Sequence, residues 1–244
     1  MFDSSDFDLV PYAGFDMAEY VRRTYCSWHD SGWRSLLVQS FAHARQAEAL
    51  PLPGVSDLHL VLCTSGDAVM RTHDGGRASR RRWVPGRLEL MLPGHPTVRS
   101  YHATSAMRSV QVHIPRATVE RTAAELGGPA PDFEALSAAL GTGDAVVEHL
   151  MRALPAARDA GDLYAESAAA FLVTHLLTRT RDQPPPGPEH TAVRKGIATM
   201  RERLADTGLT IEQIAERCGF SSPGSLSSAF LRHVGVRPSV YRKM

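Results

Sequence analysis

The sequence lacks most features that would mark a chain for secretion, a membrane or catalysis. Its three cysteines, Cys26, Cys63 and Cys218, are odd in number, far apart and without metal-ligand spacing. That excludes a disulfide framework and fits small core residues in a reducing cytosol. No apolar run approaches the ~18 residues of a membrane-spanning helix. The opening "MFDSSDFDLV" is acidic, with no basic region leading into an apolar stretch, so it does not read as a secretory signal. P-loops, dinucleotide fingerprints and nucleophile elbows are absent, and "CTSGD" at Cys63 has no recognisable base partner. His59, His73, His95, His102 and His113 fall in a strand-rich region without a His-x-His pair or a His/Glu cluster at one strand end. They read as scattered surface or core histidines. Neither a metal, a cofactor nor an enzymatic activity is expected.

What is present is an uneven distribution of charge. The 244-residue chain has a net charge of +1, yet Thr191 to Met244 carries nine Lys/Arg against four Asp/Glu. That segment is therefore +5 and the remainder −4. A basic C-terminal segment on a mildly acidic body points weakly to nucleic acid. The boundary between them is "RDQPPPGPEH" (181–190), whose four prolines stop a helix and favour an extended spacer. The organisation expected is a domain over 1–180, a linker over 181–190 and a small domain over 191–244.

Strand-length segments follow one another from about Ser56 to Pro115: "HLVLCTSG", "AVMRTHDGG", "RRRWV", "LELMLPG", "TVRSYHA" and "RSVQVHIP". Gly, Pro and Asp punctuate them every eight to twelve residues, the pattern of a small antiparallel barrel or sandwich. The barrel is placed at about 50–115. Upstream, a short helix is expected around Met17 to Arg23, followed by strand-like "RSLLVQSFAHA". Downstream, over 116–180, the pattern turns helical. "RATVERTAAEL" ends at Gly127-Gly128, and "GDAVVEHLMRAL" places Val146, Val147, Leu150 and Met151 near helical spacing. "DLYAESAAAFLVTHLLTRT" is a long third helix, with Leu163, Phe171, Leu172 and Leu176 on a broad apolar face that either packs on the barrel or pairs with a second copy. The arginine-rich "GGRASRRRWVPGR" reads as a solvated hairpin face or as a site for an anionic ligand. Trp83 reads as a core residue or part of a small-molecule pocket.

The C-terminal segment resolves into three helices. The first, Thr191 to Leu204, has Val193, Ile197, Met200 and Leu204 on one face. The second starts at Thr210, which with Gln213 forms a T-x-x-Q capping box, and its apolar face is Ile211, Ile214, Ala215 and Cys218. Gly219 stops it, and Phe220 anchors the turn. The third is N-capped by Ser222 with Pro223 at its first position, has Leu226, Ala229 and Phe230 at i, i+3 and i+4, and closes at Gly235. Two short capped helices around a tight turn, with small Ala215 at the crossing, make a helix-turn-helix. In that motif the second helix enters the major groove.

"LTIEQIAERCGFSSPGSLSSAFLRHVGVRPSVYR" strongly resembles the signature of the AraC/XylS family of bacterial transcription regulators, in "IA", "GFSS", the closing "F" and "GVRPSVYR". "DLYAESAAAFLVTHLL" looks like the helix closing the sensor domain of many members, and "VPGRLELMLPGHP" like part of their cupin-like barrel. The resemblance implies an α+β fold in which a cupin-like β-barrel with accessory helices is linked to a small all-α helix-turn-helix domain. It also implies a cytoplasmic transcription regulator, with double-stranded DNA, a small-molecule effector, a second copy of the chain and RNA polymerase as partners. The effector's binding residues are not given by it. Two departures stand out. The family's DNA-binding domain holds two helix-turn-helix units, whereas 191–244 has room for one, which matches the first or the second. A chain so shortened could instead pair with a full-length regulator and bind DNA weakly or not at all. In the reading helix, members often carry Arg where this chain has Ser228, and longer polar residues where it has Pro223 and Gly224. Carry-over leaves Ser222, Ser225, Ser227 and Ser228 facing the groove, with Arg217, Arg232, Arg237 and Arg242 suited to phosphates. Serine hydroxyls serve bases and phosphates alike and discriminate poorly.

Overall fold

The computed structural model describes residues 7, 9–74, 77–127, 130–181, 210–217, 220, 222–234 and 238. The chain divides into two compact units, one of residues 1–75 and 79–182, the other of residues 76–78 and 183–244.

The first unit is built on nine strands: β1 (Val21–Cys26), β2 (Leu37–His43), β3 (Gln46–Leu52), β4 (Leu58–Ser65), β5 (Ala68–Asp74), β6 (Arg77–Trp83), β7 (Leu88–Met91), β8 (Thr97–Ala103) and β9 (Arg108–Ile114). They form a five-stranded sheet in the order β1-β2-β9-β4-β7 and a four-stranded sheet in the order β3-β8-β5-β6. The inner faces of both sheets share one buried cluster, giving a two-sheet barrel. Among the described residues five α-helices belong to this unit: α1 (Ser27–Asp30), α2 (Arg116–Glu125), α3 (Phe133–Gly141), α4 (Ala145–Ala153) and α5 (Asp162–Arg181). The fold class is α+β.

Three local expectations need correction. The helix around Met17–Arg23 is a single 3₁₀ turn, Met17–Glu19, after which the chain enters β1. Pairing of β1 with β2 satisfies the backbone there and overrides a weak helical preference. β3 was not anticipated, because "QAEALPL" has helix-forming residues and a proline. It lies at a sheet edge, where Pro51 is tolerated, and a bulge between Ala47 and Leu50 absorbs Ala49 at φ 50°. Nor was α3, whose N-cap Asp132 accepts from the Ala135 N–H at 3.1 Å.

The five-stranded sheet buries its outer face under the helices. Leu58, Leu60 and Leu62 of β4, Val110, Val112 and Ile114 of β9, and Leu88 and Leu90 of β7 join one cluster with residues of α2, α3, α4 and α5. The packed face of α5 is Ala165, Ala168, Ala169, Leu172, Val173 and Leu176. Leu172 and Leu176 sit on it as expected, but Leu163 and Phe171 do not; they are 77% and 50% exposed. Alanines allow α5 to lie close against α2 and α3, and the larger side chains are turned outward.

Long-range polar contacts fix the helical layer. The Trp33 indole N–H donates to the Ala160 carbonyl at 2.7 Å. Asp162 at the start of α5 accepts from the backbone N–H groups of Arg34 and Ser35 at 2.6 and 3.0 Å and from the Ser35 hydroxyl. Asp144 caps α4 through the N–H groups of Val146 and Val147 and also meets His175 and Arg179 of α5. Burial alone would raise its pKa, but those partners hold it below the ordinary carboxylate value.

In the second unit the described helices are α6 (Ile211–Arg217) and α7 (Pro223–Val234). No described helix is long and apolar enough to cross a membrane.

Candidate functional site

The inner face of the five-stranded sheet mixes polar with apolar side chains, unlike its aliphatic outer face. Strand alternation puts His59, Val61 and Cys63 of β4 on the same side as Ser109, Gln111 and His113 of β9. Register sets His113 opposite His59, and His59 opposite Met91 of β7. The next row reads Gln39, Gln111, Val61 and Glu89. From the facing sheet come Arg99 and Tyr101 of β8, opposite Thr72 and Met70 of β5. Between the sheets lies a cavity of about 60 Å³, lined by His59, Arg99, Tyr101, Gln111 and His113 together with apolar residues such as Phe41, Met70 and Trp83. That is room for several waters at roughly 10–15 Å³ each.

Buried charge concentrates at one place. Arg99 donates through Nη2 to Glu89 Oε1 at 2.6 Å, and Arg81 contacts the same oxygen. Arg99 also reaches the Met91 sulfur at 3.0 Å. Burial, and then the charges of Arg99 and Arg87, lower the Arg81 pKa to about 10. Burial lowers that of Arg99 to about 10 as well. Both stay charged at neutral pH, so two guanidinium groups face one carboxylate. Arg99 Nε and the Tyr101 hydroxyl are buried and have no hydrogen-bond partner. Burial pushes the Tyr101 phenol up to about 12, which keeps it a neutral donor.

The histidines lining this cavity are neutral. Burial, and then the Arg99 charge, lower His43 to about 4. Burial lowers His59 to about 4 against the opposing effect of its 3.1 Å bond to Gln111, with Arg99 adding to the depression. Burial and the adjacent His59 take His113 well below its ordinary value. The rings of His59 and His113 stack with centroids 3.9 Å apart. Among the described residues no group of three or more His, Cys, Asp or Glu is arranged to hold a metal ion. His73 and His102, by contrast, are exposed.

Sequence reasoning did not single out this cavity. The signal was the period-2 placement of Ser109, Gln111 and His113 in "RSVQVHI", with His59 heading "HLVLCTS", opposite an aliphatic stripe. The arginine-rich hairpin divides between its two readings: exposed Arg82 pairs with half-buried Asp67, whereas Arg81 turns in to Glu89. Trp83 is both core residue and cavity wall.

The helix-turn-helix is assembled by reciprocal capping. The Gln213 N–H donates to Thr210 Oγ1 at 3.2 Å, and the Thr210 N–H donates to Gln213 Oε1 at 3.0 Å. The Phe220 N–H closes the end of α6 on the Ala215 carbonyl at 2.9 Å. Ser222 caps α7 by accepting from the Ser225 N–H at 3.1 Å. Ile214, Ala215 and Leu226 are buried where α6 and α7 pack together.

The four candidate serines differ in setting. Ser222, Ser225 and Ser228 are exposed at i, i+3 and i+6, on one side of α7, and Ser227 is half-buried at the margin of its packed face. The hydroxyls of Ser222 and Ser225 hydrogen-bond each other at 2.9 Å, so capping already engages both. Arg217 ends α6 and Arg232 lies in the last turn of α7. Arg237 and Arg242 lie outside the described residues, as do Cys218, Gly219, Gly235, the expected helix from Thr191 to Leu204 and all but the first residue of the proline-rich linker.

Comparison with known proteins bears on the second unit. Residues 187–244 match the model of a helix-turn-helix domain. The HTH-type transcriptional regulator Rv1931c of Mycobacterium tuberculosis is 32% identical over 75 residues, or 31% of this chain. The match spans 29% of that relative's length. Among solved structures, an apo variant of ToxT from Vibrio cholerae is 12% identical with a TM-score of 0.48, over 86% of this chain and 97% of that one. The AraC-like transcriptional activator CuxR is 13% identical with a TM-score of 0.44, over 97% of this chain and 86% of that one. Residues 187–244 are a helix-turn-helix domain.

Proposed function

We propose that this chain is a DNA-binding transcription regulator, with residues 1–180 as a sensor, 181–190 as a linker and 191–244 as the DNA-contacting domain. The observation that carries the reading is the reciprocally capped α6–α7 pair within the matched helix-turn-helix segment. α7 enters the major groove with Ser228 and Ser225 toward the bases, and Arg217, Arg232, Arg237 and Arg242 meet phosphates. The barrel senses a small molecule in the cavity between its sheets; a partly polar lining in which Arg99 Nε and the Tyr101 hydroxyl lack hydrogen-bond partners supports this, since a purely structural core would be filled and apolar.

The chain also pairs with a second copy. Support comes from the outward strip of Val146, Leu163, Tyr164 and Phe171 on α4 and α5, apolar side chains that are at least 39% exposed. Pairing would present two reading helices about one turn of DNA apart, ~34 Å. The test is equilibrium binding of the full chain to promoter DNA across a salt series. Affinity that falls as salt rises is expected; no binding even at low salt defeats the reading.

A second reading rests on the serine surface of α7. A chain with weak base contacts can act by pairing with a full-length regulator and reducing its activity. Light scattering separates the two, because a strict monomer that captures no such partner argues against pairing.

A further inference from the structure

Gly224 lies in the first turn of α7, and nothing among the described residues asks for a glycine there. Glycine lowers helix stability relative to alanine, so a helical glycine needs a reason. The usual ones are missing. Its φ is not in the left-handed region, and a Cβ would have only the Ser222 hydroxyl within 4 Å, at an ordinary 3.6 Å. The residue is exposed, so no packed neighbour excludes a side chain. What remains is an outside partner that comes close to the backbone. The face around it has the same character. Gly224, Ser225 and Ser228 are exposed, with Gly224 and Ser228 at i and i+4, whereas Leu226 is buried and Pro223 and Ser227 are half-buried. No side chain on that exposed face extends beyond a hydroxyl attached to Cβ. Arginine or glutamine can reach a base edge from a helix that stands off the groove floor. Serine reaches one only from a helix whose backbone has come much closer, and a long side chain in the leading turn would prevent that approach.

We propose that Gly224 is a positioning residue for DNA binding: its missing side chain lets the first turn of α7 seat deep in the major groove and brings the Ser225 hydroxyl to the base edges. This rests on the reading of the chain as a DNA-binding regulator and names the residue that sets how closely α7 approaches. The constraint belongs to the leading turn, because a reading helix meets the bases with its N-terminal residues. One turn on, Ser228 lies farther back and has room for a longer side chain.

The test uses the full chain at low salt and the duplexes it enriches from a random pool. Gly224→Ala and Gly224→Gln both favour the helix, so hydrogen exchange should show the α7 amides protected as well as in the original chain or better. DNA affinity should nevertheless fall, severalfold in Gly224→Ala and by about tenfold or more in Gly224→Gln. Ser225→Ala should weaken binding severalfold in the original chain and no further in Gly224→Gln, whose helix is already held out of reach. Binding by Gly224→Gln as tight as that of the original chain, or a Ser225→Ala loss equal in both backgrounds, would overturn the proposal. So would a Gly224→Gln chain that keeps its DNA affinity but loses self-association, which would assign the exposed face to a contact with another protein helix. The regulator reading fails differently, as an original chain that binds no duplex at all.

Discussion

Acidification should unfold the barrel well before its carboxylates titrate. In the folded chain His43 and His59 have pKa values of about 4, against 6.5 for an ordinary histidine, and His113 is also far below that value. Below pH 6.5 the unfolded chain therefore takes up protons that the folded chain refuses. Stability falls as pH drops through 6.5 and continues to fall toward 4. At pH 5 His43 and His59 each cost about 2 kcal/mol relative to pH 7. His43 and His59 together approach about 4 kcal/mol, and His113 acts in the same direction, a loss comparable with the low end of the ~5–15 kcal/mol total stability of a typical domain. The depressed aspartates, Asp144 and Asp162, act in a different window, since their stabilisation is lost only as pH falls below the ordinary carboxylate range. Urea unfolding at pH 7.5, 6.0 and 5.0 measures the loss directly, and His59→Gln should flatten the curve by about one histidine's share. A stability unchanged between pH 7.5 and 5.0 would refute the neutral, buried placement of these rings.

Other outcomes follow from single contacts. Asp162→Ala removes the acceptor for two backbone N–H groups and a hydroxyl and should destabilise the first unit by about 1–3 kcal/mol, read as a lower urea midpoint. Gly66 has φ +105°, and a Cβ there would lie 2.6 Å from the Met107 Cα, so Gly66→Ala should lower the unfolding temperature of the barrel clearly. Thr210→Ala breaks the capping box and should cost about 1 kcal/mol of α6 stability; hydrogen exchange should show faster opening of α6 with the barrel amides unchanged.

The strands were legible where aliphatic alternation and turn residues coincide, as in "HLVLCTSG" ending at Gly66. β3 was not, because its pairing with β8 is a tertiary matter that "QAEALPL" does not signal locally. The capping of α6 by Thr210 and Gln213 and of α7 by Ser222 was readable, since both are local contacts. The barrel cavity was hidden for the opposite reason. Arg99, Glu89 and His113 are distant in sequence or sit among hydrophobic residues, and only register and strand order bring them to one face. Helical spacing likewise left two faces of α5 open: it grouped Leu163 and Phe171 with Leu172, whereas the buried contact is made largely by alanines.

The central claim is that α7 is a groove-entering helix that positions more than it specifies. Selection of bound sequences from a pool of random duplexes, with the full chain and with Ser228→Arg, tests it most directly. The account predicts weak, salt-sensitive enrichment by the original chain and a tighter, sharper preference in the variant, since one bidentate base contact contributes roughly 1–3 kcal/mol of discrimination. A sequence preference unchanged by Ser228→Arg would contradict the placement of this helix in the groove.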